Sequence, residues 1–212
     1  MSSVGVVCAA ALLAGCGGSG PSEVAGESSG SFPLAVSSAR FPASQRLSEH
    51  TTLVISVRNA GHRTVPDVAV TLTNPRYGTA AQAFGTLIPG SQAGQPVLAS
   101  RSRPVWVVDQ APGPCSYSCH QDGPGGAATA YSNTWALGKL APGQTARFTW
   151  HVTAVLAGRY TVHYEVAAGL SSKAVAVSTG RLPLAGSFAV DVSGAPRQAY
   201  VNNAGQIIYG HQ

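Results

Sequence analysis

Beyond residue 32, apolar and polar positions alternate with a period of two along much of the chain. Leu53, Ile55 and Val57 interleave with Val54, Ser56 and Arg58, and Val68, Val70 and Leu72 with Ala69, Thr71 and Thr73. Further on, Phe148, Trp150 and Val152 alternate with Thr149, His151 and Thr153. Tyr160, Val162, Tyr164 and Val166 alternate with Thr161, His163 and Glu165, and Phe188, Val190 and Val192 with Ala189, Asp191 and Ser193. Valine and threonine dominate these runs, and their branched Cβ atoms favour extended backbone. Each run predicts a strand with one face toward a core and one toward solvent. Together they predict two packed sheets.

Turn chemistry falls between the runs. Asn59-Ala60-Gly61 follows the first strong strand, and Gly61 is expected to supply a positive φ. Pro142-Gly143 precedes the strand at Thr145–Thr153, and Ala157-Gly158 separates that strand from the next. Pro66 breaks the loop before Val68. Residues 74–134 are too long for a plain connection, because structureless loops beyond about 15 residues are uncommon in compact domains. A strand is expected at Pro104–Val108, and Ala80–Leu87 fits either a helical turn or a strand. At the C-terminus, Gln198–Tyr209 reads as a small hairpin turning at Asn202–Gly205.

The N-terminus follows a different pattern. Val4–Gly15 is an apolar, small-residue run of twelve, too short for a bilayer span of about 20 residues. It fits the apolar core of a secretory signal peptide. It ends in Leu13-Ala14-Gly15-Cys16, which resembles a bacterial lipobox. The resemblance implies cleavage before Cys16 and lipid, palmitate included, on its sulfur and new amino group. Membrane attachment through that N-terminal lipid, on the extracytoplasmic face of a bacterial cell membrane, would follow. No Lys or Arg precedes the run, the first basic residue being Arg40, and this departure leaves the start of translation open. Gly17–Ser31 is rich in Gly and Ser and reads as a disordered tether.

Two stretches of the body carry a second resemblance. Residues 53–73, LVISVRNAGHRTVPDVAVTLT, look like the opening strands of bacterial Ig-like domains of the CARDB type. Residues 137–168, LGKLAPGQTARFTWHVTAVLAGRYTVHYEVAA, look like their later strands. The resemblance implies an all-β, Ig-like β-sandwich of seven or more strands and no catalytic residue. The expected organisation is a signal peptide at 1–15 and a lipid-anchored tether at 16–31. An Ig-like sandwich at 32–193 with an insertion at 74–134 follows, then a hairpin or tail at 194–212.

Composition narrows the chemistry. Charged residues make up 10% of the chain, against about 25% in an average soluble protein. The eight carboxylates leave little for paired-carboxylate catalysis or a calcium cage. The formal charge is +5, and eleven of the thirteen basic residues are Arg, spread from Arg40 to Arg197. Such diffuse charge suits anionic lipids or wall polymers. It lacks the basic patch with interleaved aromatics that marks a nucleic-acid binder, and no nucleic-acid partner is expected.

The most chemical segment is Pro114–Asp122. Its Cys115 and Cys119 are the two cysteines that remain after Cys8 and Cys16 are set aside. Outside the cytoplasm a close pair forms a disulfide, here pinning a Gly/Pro-rich loop. Cys115, Cys119 and His120 offer the rival chemistry of an exported copper or redox site. The spacing resembles that of exported copper proteins, but Gly123 stands where that family has a histidine, and no methionine follows. Cys-x-x-x-Cys-His is one residue longer than a c-type haem motif. His151 and His163 fall on strands expected in different sheets, and no zinc-hydrolase or nucleophile motif is present. An undetected envelope hydrolase is the third alternative. The chain is therefore read as a non-enzymatic, cofactor-free binding, adhesion or scaffold protein whose partner is an envelope protein or wall polymer. The insertion, Arg76–Asn133, is the expected partner surface, with Arg101, Arg103, Trp106 and Tyr117 as its candidate residues.

Overall fold

The computed structural model describes residues 24, 26–74, 84–86, 104–113, 133–195 and 199–209. They form an all-β sandwich of two sheets and a separate hairpin. The six-stranded sheet contains β1 (Gly30–Arg40), β3 (His50–Asn59), β5 (Phe84–Thr86), β6 (Trp106–Gln110), β8 (Thr145–Ala154) and β10 (Ala174–Ser178), in the order β10-β1-β3-β8-β6-β5. The five-stranded sheet contains β2 (Ser44–Arg46), β4 (Ala69–Thr73), β7 (Thr134–Ala136), β9 (Gly158–Ala167) and β11 (Ala185–Ser193), in the order β2-β11-β9-β4-β7. The hairpin pairs β12 (Ala199–Val201) with β13 (Ile207–Tyr209) around the predicted turn.

The period-two pattern is the pattern of burial. Leu53, Ile55 and Val57 of β3 and Phe148, Trp150 and Val152 of β8 are fully buried. They form one core with Val70 and Leu72 of β4, Tyr160–Val166 in alternation on β9, and Val190 and Val192 of β11. Each sheet turns its apolar face inward, so non-directional burial holds the layers together. Most neighbouring strands are antiparallel; β1 with β10, β2 with β11 and β5 with β6 are parallel.

Strand β1 is absent from the predicted runs. Its Phe32, Leu34 and Val36 are buried core residues, but Pro33 and the Ser37-Ser38 step interrupt the sequence signal. Pairing with β3 begins only at Leu34, one residue past the proline, and a bulge at Ser37 shifts the register. The expected tether also ends earlier than residue 31. Gly30 and Ser31 pair with Ala174 and Val175 of β10. The Glu27 carboxylate accepts hydrogen bonds from the backbone N–H groups of Leu170 and Ser171 and from the Ser171 hydroxyl.

The turn after β3 departs from expectation. Gly61 does not adopt a positive φ. It is required for close approach instead, because a Cβ there would meet Pro33 Cδ at 2.9 Å. Asn59 organises this corner from a fully buried position. Its Nδ2 donates to the carbonyls of Arg63 (2.8 Å) and Leu140 (2.9 Å), and its Oδ1 accepts from Gly61 N–H (2.9 Å). Gly143, at φ 76°, closes the Pro142-Gly143 turn and donates its N–H to the Asn59 carbonyl.

The insertion is partly structural. It leaves β4 in one sheet, contributes β5 and β6 to the edge of the other, and returns to β7, which pairs with β4 again. Trp106 was expected on a partner surface, and the structure corrects this: the residue is 0% exposed. Its ring lies against Phe41, Phe84 and Tyr160 at centroid distances of 5.3, 5.5 and 5.7 Å. Its Nε1 donates to Oε1 of the buried Gln45 at 2.7 Å. In the Pro104–Val108 strand Trp106 and Val108 lie on the same inward phase, so the indole closes the end of the core.

Candidate functional site

The outer face of the six-stranded sheet gathers most of the described polar chemistry. Residues between the buried positions of β3 and β8 point outward, and register brings them into rows. His50 faces Thr153, Thr52 faces His151, Ser56 faces Arg147, and Arg58 faces Thr145. On the other side of β3, Ser38 faces Ser56 and Arg40 faces Val54.

At one end of this face three strands contribute a polar trio. A register shift between Val108 and Gln110 of β6 accompanies the outward placement of Asp109. Thr153 Oγ1 donates to Asp109 Oδ2 at 2.7 Å, and His50 Nδ1 lies 3.1 Å from the same oxygen and 2.8 Å from Thr153 Oγ1. With the hydroxyl hydrogen committed to Asp109, Nδ1 of His50 donates to the same carboxylate. This is an oriented imidazole, but no hydroxyl or thiol among the described residues contacts its Nε2. At 79% and 32% side-chain exposure the ion pair contributes little to stability.

At the other end, Arg40, Arg58 and Arg147 are exposed on three adjacent strands around the Ser38–Ser56 pair. With strands spaced about 4.8 Å and residues about 3.3 Å apart, the Arg40 and Arg147 Cα atoms lie about 12 Å apart and Arg147 and Arg58 about 8 Å. Beside them runs a groove of about 770 Å³, lined by Arg40, Arg147, Ser38, Thr52 and Ser56 and walled by Phe41 and Phe188. Its lining contains no carboxylate. Among the described residues neither Arg40 nor Arg147 has an acidic partner; the ion pairs are His50–Asp109 and Arg159–Asp191. Arg58 donates its Nε to the Gly143 carbonyl at 3.3 Å.

The outer face of the five-stranded sheet holds a second, smaller depression of about 550 Å³ around Thr71, Thr73, His163, Glu165 and Ser187. Tyr164, beneath it, has its hydroxyl pKa raised by burial, so the phenol stays neutral. His151 on β8 and His163 on β9 lie in different sheets, as the Ig-like arrangement implied. Among the described residues no three His, Cys, Asp or Glu side chains converge as metal ligands. Cys16, Arg101, Arg103, Cys115, Tyr117, Cys119 and His120 lie outside the described residues. The arginine cluster was not singled out from the sequence. Arg58 and Arg147 stand on the polar phase of their strands, but 89 residues separate them, and only the register of β3 with β8 makes them neighbours.

No protein-family model matches the sequence, and no curated protein matches it. Among solved structures, a CARDB domain from Pyrococcus furiosus, crystallised in complex with di-metal ions, is 15% identical. That match covers 77% of this chain and 96% of that one, with a TM-score of 0.41. A fragment of Escherichia coli alpha-2-macroglobulin from domain MG7 to the C-terminus is 13% identical over 82% of this chain and 20% of its own, with a TM-score of 0.41. A beta-glucosidase from Listeria innocua in complex with glucose is 11% identical over 78% of this chain and 16% of its own, at a TM-score of 0.32.

Proposed function

We propose that this chain is a lipid-anchored protein on the extracytoplasmic face of a bacterial cell membrane, and that its CARDB-type, Ig-like sandwich serves as a non-catalytic binding or scaffold module. The observation that carries this is Leu13-Ala14-Gly15-Cys16 at the end of a twelve-residue apolar run, followed at once by a Gly/Ser tract. Between Cys16 and Glu27, which is already held on the sandwich, such a tract spans up to about 36 Å when extended, enough to hold the sandwich clear of lipid headgroups. Strand-bearing sandwiches with long inter-strand segments commonly place recognition in those segments. Arg101, Arg103 and Tyr117 of the insertion keep that role in the proposal; Trp106 does not. A Cys115–Cys119 disulfide is part of the same proposal, because exported thiols this close in sequence oxidise readily.

Intact mass of the protein isolated from its native membrane, before and after reduction and alkylation, tests the proposal. The expected mass is that of Cys16–Gln212 plus lipid, with two alkyl groups added only after reduction. A chain that retains residues 1–15 or carries no lipid overturns the anchor. Thiols that alkylate without reduction, or added mass of metal or haem, overturn the disulfide in favour of a site at Cys115, Cys119 and His120.

A further inference from the structure

We propose that the arginine-ringed face of the six-stranded sheet binds a linear polyanion, with Arg40, Arg58 and Arg147 taking its oxyanions and Ser38 and Ser56 adding hydroxyl donors between them. This deepens the binding-module proposal and rests on it for the module's role, not for the chemistry of the face.

Three observations converge. First, the three arginines come from three adjacent strands of one rigid sheet, so their spacing is set by the ladder and not by loops. Separations of about 8 and 12 Å between Cα atoms let neighbouring guanidiniums share one oxyanion or hold successive ones along a chain. Second, the face is electrostatically unspent. The described carboxylates are engaged or placed elsewhere: Glu27 at the 170–171 turn, Glu49 on Arg46 N–H, Asp67 on Gly138 N–H, Asp109 with His50, Asp191 with Arg159, and Glu165 on the opposite sheet. A guanidinium without a carboxylate keeps its planar fork free for bidentate recognition of phosphate or carboxylate oxygens. Third, an open groove of about 770 Å³ runs alongside two of the arginines, and its polar lining is Arg, Ser and Thr. Of those hydroxyl bearers, Ser56 is held in place by burial and by its backbone carbonyl, which accepts from Ser37 Oγ.

The composition of the face selects a polymer over a lipid surface. The exposed large apolar residues are Val175, Val177 and Leu182 at the β10 edge and Val201 and Ile207 on the hairpin; none lines the groove. A surface that inserts into a bilayer interface presents apolar or aromatic side chains beside its cations. The groove's own apolar walls, Phe41, Val54 and Phe188, are buried or half-buried, so the chemistry it exposes, cations and hydroxyls, fits a hydrated chain of regularly spaced oxyanions. Phosphate and carboxylate share this chemistry.

The test is calorimetric titration of the full mature protein with inorganic polyphosphate, and in parallel with a uronic-acid polymer, at three salt concentrations. Vesicles containing an anionic phospholipid form a further arm. Wild type is expected to bind at least one polymer, with affinity falling as salt rises. R40Q/R147Q is expected to lose about tenfold or more in affinity and to reduce the salt slope by about 1.4, the value for two lost oxyanion contacts on a single-stranded polyanion. The single variants R40Q and R147Q are compared with R159Q, which removes the same charge from the opposite sheet; R159Q is expected to bind as wild type. Thermal unfolding of each variant confirms that the sandwich is retained. Preference between the two polymers assigns phosphate or carboxylate as the natural group. Equal affinity of R40Q, R147Q and R159Q overturns the proposal, as does binding to anionic vesicles alone. A protein that binds polyanion but lacks lipid on Cys16 leaves this inference standing and overturns the anchor.

Discussion

Asn59 is the residue at which a single side chain does most to define the sandwich. It occupies the last position of β3, is fully inaccessible, and uses both amide hydrogens and its carbonyl oxygen on backbone groups of two different loops. Alanine at this position removes the donor from the Arg63 carbonyl and the acceptor from the Gly61 N–H, and leaves the Leu140 carbonyl with only its bond from Val65 N–H. Each stranded group costs about 1–3 kcal/mol, offset where relaxation admits solvent. Asn59→Ala is therefore expected to lower unfolding stability by about 2–4 kcal/mol, seen as a reduced urea midpoint with an unchanged m value. Asn59→Asp removes the donors but keeps the Gly61 contact, and is expected to destabilise by a similar amount because it buries a charge. The outer-face arginines are the opposite case: exposed and uncompensated, they contribute little to folding and remain available for ligands.

Among the elements, β6 has the largest consequence for its length. Five residues long, it joins the edge of β8, carries β5 beyond it, and inserts Trp106 between Phe41, Phe84 and Tyr160. The strand's own ladder is short, so side-chain burial holds it in place. Trp106→Ala is expected to cost about 3–5 kcal/mol through lost burial and a residual cavity. It also leaves Gln45 Oε1 without its donor. Amide exchange separates this from general destabilisation. In the variant the β6 amides are expected to exchange well ahead of those of β3, whereas in wild type the two are protected together. Equal loss of protection in both strands would place β6 inside the global unfolding unit. Within the insertion, Trp106 and Val108 of β6 therefore belong to the core.

For the whole molecule, the junction between the leading segment and the sandwich is electrostatic. Glu27 loses solvation where it docks, which raises its pKa. The Ser171 hydroxyl, the Leu170 and Ser171 N–H groups and the Lys173 charge together outweigh that and leave it below the ordinary carboxylate value. A carboxyl whose folded pKa is depressed stabilises the fold above its unfolded pKa, and that contribution disappears as pH falls through the folded value. Wild type is therefore expected to exceed Glu27→Gln in stability at neutral pH, with the gap closing in the acid range below the ordinary carboxylate pKa. Denaturant midpoints of the two proteins at neutral and acid pH check this; a gap independent of pH would refute it. Because Glu27 lies between Cys16 and β1, this contact also fixes where any tether leaves the sandwich.

The sequence by itself determined the fold class and most of the long strands, because a strand's burial phase is written locally in alternate residues. β3, β4, β8, β9 and β11 and the C-terminal hairpin were all legible in this way. It also carried Leu13-Ala14-Gly15-Cys16, which resembles a lipobox, and the Cys115–Cys119–His120 segment, whose meaning depends on residue type and spacing. It did not mark β1, where Pro33 and the bulge at Ser37 break the alternation, or the short strands β2, β7 and β10, whose runs of three to five residues are too brief for a period. Three matters were decided only by tertiary structure. Trp106 became core and not surface because β6 docks on β8, a pairing across more than 40 residues. Gly61 is required by the approach of Pro33, from a strand nearly 30 residues away. Arg40, Arg58 and Arg147 became one cationic face because sheet register, a property of pairs of strands, set them side by side. Local alternation tells which way a side chain points; only long-range pairing tells what it points beside.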